Sequence, residues 1–320
     1  MLAYHIDAGE SAPKITELPV PAPGPGEILV RIAACGLNFA DLLMIEGKYQ
    51  ETPQRPFTLG MEVSGTVEAL GEGVSGPAPG TRIAVFGGKG GLAEFGVFPA
   101  DRVTPLPDST SFEEAAALQI AYGTSHVALD HKARLQPGET LLVLGAAGGV
   151  GLTAVEIGKL MGARVIACAR GAEKLEIAAR AGADHLIDAK TQDIREEVKA
   201  LGGADVVYDP VGGDQFTAAL RACRPEARIL AIGFASGTVP QIPANHLLVK
   251  NVDVLGFYWG GYFRFRPSVI TESLATLFAW QAEGRIRPHI SHRLPLERAA
   301  EGLELLRTRK STGKVVITPA

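Results

Sequence analysis

Cysteine is scarce. The 320 residues hold three, Cys35, Cys168 and Cys223, far apart and with no C-x-x-C pair, so no disulfide framework is expected and a reducing compartment suits the chain. No apolar run approaches the roughly 18 residues of a membrane span. The opening residues lack a basic segment followed by an apolar core, and the expectation is a soluble, cytoplasmic protein with no membrane partner. Positive charge is not in excess either: the formal net charge is −4, with no basic block, which excludes nucleic acid as an expected partner. No G-x-S-x-G turn is present, so a nucleophile-elbow hydrolase is disfavoured.

Glycine and apolar residues, by contrast, are plentiful. Thirty-eight glycines and 46% hydrophobic residues suit a turn-rich α/β chain, and the length suggests two domains. The most informative stretch is 140–174. Residues 140–144 (TLLVL) are too short and too uniformly apolar for a helix, and read as a strand buried on both faces. A Gly-rich turn follows, then apolar residues at helical spacing from Leu152 to Leu160, then a second apolar run at 164–169. Strand, turn, helix and strand in that order form a nucleotide-binding unit.

The turn 146–151 keeps the G-x-G-x-x-G spacing with Ala146 at the first position. Gly148 would let the backbone approach a pyrophosphate, Gly151 would let helix and strand pack closely, and Gly149 and Val150 open a helix whose unpaired N–H groups face the anion. Ala146 requires only a negative φ. An NAD site usually places Asp or Glu at the end of the second strand, about 20 residues on, for the ribose hydroxyls. Here Ala169 stands there, with Arg170 next and Lys174 one turn later. Two cations and no carboxylate point to a 2′-phosphate, and so to NADPH.

Before this unit the chain reads as short strands broken by Gly and Pro, at 27–32, 65–70, 82–86 and 93–98, which suggests a small barrel-like β domain. Ser111 with Glu113 and Glu114 opens a helix. Beyond the unit, strands at 185–188, 205–208, 228–232 and 252–257 alternate with helices at 173–181, 194–201 and 215–222, giving a doubly wound parallel sheet. The rhythm then changes: helices at 267–282 and 296–306 and a strand at 314–318 are too few for a third domain and are expected to return to the first.

These segments together resemble the zinc-free NADPH:quinone oxidoreductase (zeta-crystallin-like) group of the medium-chain dehydrogenase/reductase superfamily. The resemblance rests on 35–41 (CGLNFAD), 56–62 (PFTLGME), the turn 146–151, 182–184 (GAD), 209–213 (DPVGG) and 312–316 (TGKVV), in that order over nearly the whole chain. It implies a Rossmann domain inserted in a GroES-like β-barrel catalytic domain: residues 1–118 and 260–320 for the catalytic domain, 119–259 for the cofactor domain, and the substrate in the cleft between them. It also implies a homodimer formed through the edge of the Rossmann sheet.

By the same resemblance Asn38 lies beside the nicotinamide ribose and the acceptor, and Tyr49 faces the substrate as a hydroxyl donor, although Tyr49 reads equally well as a packed loop aromatic. Thr124, Gly149, Val150, Arg170, Lys174, Gly233, Phe234, Phe257, Tyr258, Trp259 and Arg309 match cofactor-contacting positions, with interdomain packing the alternative for Tyr258 and Trp259. Ala189 departs from relatives that carry Tyr there. Zinc alcohol dehydrogenases of the superfamily have a ligand Cys near the place of Asn38 and a His where Met61 stands, so no metal is expected and alcohol oxidation is disfavoured. The expected reaction is hydride transfer from NADPH to a quinone; the alternatives are reduction of small enones or 2-substituted acrylates, and a non-catalytic NADPH-binding protein. None of the six tyrosines is followed by Lys four positions later, which removes the short-chain dehydrogenases. His126, at a helical position, is expected to satisfy a hydrogen bond rather than act as a base.

Overall fold

The structure, a computed structural model, describes residues 1–319. The first 120 residues supply β1 (Leu2–Ile6), β2 (Lys14–Glu17), β3 (Glu27–Gly36), β4 (Phe57–Thr58), β5 (Glu62–Leu70), β6 (Arg82–Phe86), β7 (Phe95–Pro99) and β8 (Val103–Pro105). The middle of the chain supplies β9 (Thr140–Leu144), β10 (Arg164–Ala169), β11 (His185–Asp188), β12 (Ala204–Asp209), β13 (Cys223–Ala231) and β14 (Asp253–Gly256). β15 (Ile290–Pro295) and β16 (Lys314–Thr318) close it.

Two compact units result, one from residues 1–120 and 274–320 and one from 121–273. The first is built on β3, which pairs antiparallel with β5, β7 and β16 and is buried over most of its length. Its main sheet runs β15-β16-β3-β5-β6-β8, and a smaller one runs β2-β1-β4. Interruption by Gly and Pro keeps these strands short, and the two ends of the chain meet in one sheet because β16 is buried along residues 314–317, where Val315, Val316 and Ile317 are apolar. The helix Phe112–His126 starts where the sequence places it: Ser111 Oγ accepts from Glu114 N at 3.2 Å, and Ser111 N donates to Glu114 Oε2 at 3.4 Å. It continues into a π-helical turn over Val127–Lys132.

The second unit is a six-stranded parallel sheet in the order β11-β10-β9-β12-β13-β14. All of β9 is buried, as a central strand between two neighbours requires. Side chains on one face, Leu142, Ile166, Val207 and Ile229, pack with Phe216 and Leu220 of the helix Gly213–Ala222. The chain runs outward from β9 to β11 and then returns to β12 on the other side. This reversal makes a switch point at the C-terminal ends of β9 and β12, where ligands of doubly wound sheets sit.

Several elements differ from expectation. β13 begins at Cys223 rather than 228, with a register shift opposite Ala204 and Val206. The helices Phe39–Ile45 and Ala244–Lys250 and the strands β1, β2, β4 and β15 lie in stretches whose apolar periodicity is too short to stand out. Residues 260–273, expected to return to the first unit, belong to the second: the Tyr262 ring packs 5.7 Å from Phe257 and 5.8 Å from His131, and His126 Nδ1 lies 2.8 Å from Ser273 Oγ. Among the described residues no helix is long and apolar enough to cross a membrane.

Candidate active site

The turn after β9 is built from backbone approaches that only glycine allows. Gly145, not the residue at 146, takes the left-handed conformation (φ +59°), while Ala146 keeps a negative φ and its N–H bonds the Cys168 carbonyl at 2.9 Å. A Cβ on Gly151 would stand 2.2 Å from the Gly145 oxygen, so helix Gly149–Leu160 comes this close to the turn only because residue 151 has no side chain. Gly148 is different. Its φ of −80° is open to any residue, and a Cβ there would meet nothing nearer than 3.4 Å. It caps the helix without a side-chain partner, leaving the first N–H groups directed outward. Behind them lies a buried hydroxyl cluster: Ser125 Oγ donates to the Val150 carbonyl at 3.0 Å and lies 2.7 Å from Thr153 Oγ1 and 3.0 Å from Tyr208 Oη. Burial pushes the Tyr208 hydroxyl pKa well up, so it stays a neutral donor.

At the end of β10, Ala169 is buried, Arg170 is exposed and Lys174 is half-buried on the helix Ala172–Arg180. Gly171 between them has φ +86°, and its N–H donates to Asp188 Oδ1 at 3.0 Å. The same oxygen accepts from Lys190 N at 2.9 Å, and these two bonds hold the Asp188 carboxyl below its ordinary range. Asp188 is thereby committed to shaping the loop, and the residue directly after the strand is the cation Arg170, with Lys174 following Glu173 in the first turn of the helix.

At the end of β12, buried Asp209 accepts from Val211 N at 2.7 Å and Gly212 N at 2.9 Å and so fixes the 209–213 turn; burial outweighs these bonds and raises its pKa. Beyond β13 come Gly233 and Phe234, the latter 43% exposed despite its apolar ring. Beyond β14 come Phe257, Tyr258 and Trp259. Phe257 and Trp259 are buried, and a Cβ on Gly123 would touch the Trp259 indole nitrogen at 2.8 Å, so the ring lies flat on the helix next to buried Thr124. The structure thus gathers Thr124, Gly148, Gly149, Val150, Arg170, Lys174, Gly233, Phe234, Phe257, Tyr258 and Trp259 in the second unit, and leaves Asn38, Tyr49 and Arg309 in the first. His126 is held by Ser273, with its pKa lowered by burial, as a structural histidine is.

In the first unit Asn38 caps the helix Phe39–Ile45 with its backbone N–H on Asp41 Oδ2 at 2.8 Å. Its amide is held by a buried ion pair. Lys314 Nζ lies 2.7 Å from Glu62 Oε1 and 2.8 Å from Asn38 Oδ1, while Asn38 Nδ2 donates to Glu62 Oε1 at 2.9 Å. Asp41, fully buried, has its pKa pushed up to about 7 by burial, against the opposing pull of the Asn38 and Gly60 N–H groups and of Lys314. Tyr49 is half-buried in the turn after that helix, with its backbone N–H on the Leu43 carbonyl. Arg309 is exposed and left-handed (φ +57°) just past the helix Ala299–Arg307.

Residues 24–108 match the alcohol dehydrogenase GroES-like domain, and residues 149–278 match the zinc-binding dehydrogenase family. A quinone oxidoreductase-like protein 2 homolog of Nematostella vectensis is 43% identical over 92% of this chain and 82% of its own length. The chain belongs to the medium-chain dehydrogenase/reductase superfamily, among its quinone oxidoreductase-like proteins. Two solved structures of this superfamily superpose over its whole length. A mycobacterial protein solved with NADPH gives a TM-score of 0.93 at 32% identity, covering 100% of both chains. Escherichia coli quinone oxidoreductase complexed with NADPH gives 0.90 at 30%, covering 99% of both. The fold is therefore a Rossmann domain inserted in a GroES-like domain, and the protein is an oxidoreductase of that superfamily.

Zinc, which the description of the second family model raises, does not fit the donors present. Met61 is buried with a thioether in place of an imidazole, and the Asn38 amide and both Glu62 oxygens already have partners, Glu62 Oε2 accepting from Ile120 N at 2.7 Å. Cys35 is wholly buried and its thiol pKa is pushed far up, which opposes the thiolate that zinc requires. Among the described residues no three His, Cys, Asp or Glu side chains converge on a common point. In the sequence Glu62 and Lys314 stand out only as family markers, and nothing beside them shows that they form a buried pair around Asn38. The roles of Gly145, Asp209 and the Ser125 cluster are equally hidden there, because backbone conformation and burial set them.

Proposed function

We propose that the protein is an NADPH-dependent, zinc-independent reductase of quinones. One observation carries this reading: the glycine turn at the start of helix Gly149–Leu160 is followed by a strand ending in Ala169-Arg170 rather than a carboxylate. That combination suits a pyrophosphate and a ribose 2′-phosphate. The NADPH complexes of the two superposed structures support it.

In this reading the N–H groups of residues 149–151 hold the pyrophosphate and Gly148 lets it come close. Arg170 and Lys174 hold the 2′-phosphate. Thr124, Gly233, Phe234, Phe257, Tyr258 and Trp259 line the rest of the cofactor's path, with Arg309 as a further contact. Bound NADPH would supply the hydride. The chain's own work is to orient the ring, exclude water and deliver one proton, with Asn38 aligning the reacting groups and the Tyr49 hydroxyl or a water giving the proton. A conjugated quinone spreads its developing negative charge over the ring, so no Lewis acid is required. Among the described residues β14 has a strand on one side only, and its other edge is the proposed homodimer contact.

The test is NADPH consumption followed by absorbance with 1,2-naphthoquinone, 9,10-phenanthrenequinone and a set of enones. Turnover of the quinones is expected. Turnover of enones alone would reassign the acceptor, and NADPH binding with no turnover of any acceptor would refute the enzyme reading.

A further inference from the structure

Three helices of the second unit, Ile194–Ala200, Gly213–Ala222 and Ala244–Lys250, lead into β12, β13 and β14. In a parallel sheet their C-terminal ends therefore lie where the strands begin, a strand's length of roughly 17–20 Å from the edge that carries the glycine turn. Between these helices opens a cavity of about 480 Å³, lined by Arg195, Lys199, Arg221, His246 and Lys250, with Leu220 and Val249 as its apolar wall. Cations at helix ends are ordinary, because each C-terminus carries about −0.5 of a charge. Lys199, Arg221 and Lys250 stand in last turns and answer that field, and Lys250 Nζ also caps the Arg221 and Cys223 carbonyls at 3.1 and 2.9 Å. Arg195 is not explained this way: it stands in the first turn of its helix, where the same field opposes a cation. It pairs with Glu196, 3.5 Å from its Nε and without a hydrogen bond. Among the described residues no carboxylate lines the cavity, neither Glu196 nor Glu197 of that turn included. With three helix ends and Glu196 set against four permanent cations, roughly one and a half positive charges remain, in a chain whose net charge is −4.

We propose that this cavity is a binding site for a phosphate-bearing small molecule, separate from the cofactor site. A phosphate ester carries about −1.5 to −2 charges, which matches the positive charge left over. The Arg195 and Arg221 guanidinium groups can each grip two of its oxygens, and Lys199 adds a point charge. Leu220, which is buried, and Val249, 75% exposed, leave an apolar wall for a short organic part. The volume is that of a small-molecule site. Because the cavity lies at the edge of the sheet opposite the glycine turn, it stands or falls independently of the function proposed above.

The test is calorimetric titration of the NADPH-saturated protein with phenyl phosphate at fixed ionic strength, with thermal melting of each variant as the check on folding. Phenyl phosphate should bind once per chain with a Kd of about 1 mM or tighter. Lys199→Gln with Arg221→Gln, both exposed, should weaken it at least about tenfold, and Arg195→Gln alone roughly 3- to 10-fold. A control pair, Arg285→Gln with Arg293→Gln, removes the same charge from exposed positions of the first unit and should change binding less than about twofold. No binding up to about 10 mM overturns the proposal, as does binding that the cavity variants leave unchanged. Equal losses in the control pair overturn it too, because they report general charge and not a site. If the double variant does not fold, Arg195→Gln decides by the same criteria. Failure of NADPH to saturate the protein would count against the function proposed above and leave this comparison readable, since the cavity variants do not touch the glycine turn.

Discussion

Gly148 and Gly151 sit three residues apart in one turn, yet replacing each with Ala should break different things. A methyl at 151 would stand 2.2 Å from the Gly145 oxygen and 2.8 Å from its carbonyl carbon, and both are backbone atoms in a left-handed turn that cannot rotate aside. The helix must shift by about 1 Å, a form of overpacking that costs about 1–3 kcal/mol, or a fall in Tm of roughly 2–5 °C for a chain this size. At 148 the same methyl meets nothing closer than 3.4 Å, with a φ that Ala adopts freely, so stability should stay within about 0.5 kcal/mol. That methyl would, however, occupy the face over which a pyrophosphate must lie, and NADPH affinity should drop by about tenfold or more, over 1.4 kcal/mol. Thermal melting without ligand and fluorescence titration with NADPH separate the two effects. The reasoning is refuted if Gly148→Ala melts as low as Gly151→Ala, or if it binds NADPH like the unaltered protein.

Replacing Arg170 and Lys174 together with Ala should weaken NADPH by at least about tenfold and leave NADH nearly unchanged; equal losses would remove the 2′-phosphate from that loop. Asp41 gives a pH signature. Its folded pKa of about 7 lies above the ordinary 3.8, so the folded state holds the proton more tightly, and the stability this lends is complete below about pH 4 and gone once the pH passes 7. The upper bound is about 4 kcal/mol. Asp41→Asn should flatten the denaturant-measured stability between these limits, and parallel curves for the two proteins would exclude Asp41 as the cause. Finally, prolonged EDTA treatment should leave quinone turnover intact, whereas stoichiometric zinc in the purified protein would contradict the zinc-independent reading.

Wherever one local signal decided the structure, the sequence was enough. The buried run of β9, the spacing of the glycines and the Ser111 cap each depend on a few adjacent residues. The bounds of Lys314–Thr318 and Pro267–Ala282 are legible for the same reason. Helix Ala244–Lys250 was not visible, because three consecutive apolar residues, Leu247 to Val249, blur its period and two of them are exposed. The surroundings of Asn38 were illegible for another reason. Glu62 and Lys314 stand 252 residues apart, and nothing near either one announces that each is buried, or that the other neutralises it.

That separation bears on how the chain is made. Residues 121–273 are contiguous, so this half can settle while the ribosome is still adding the remainder. The other half cannot: until β16 emerges, β3 has a bare flank between Cys35 and Gly36, and the carboxylate of Glu62 has no cation to meet it in the interior. β16 therefore acts as a latch, joining its close predecessor β15 to strands of the sheet that were translated long before.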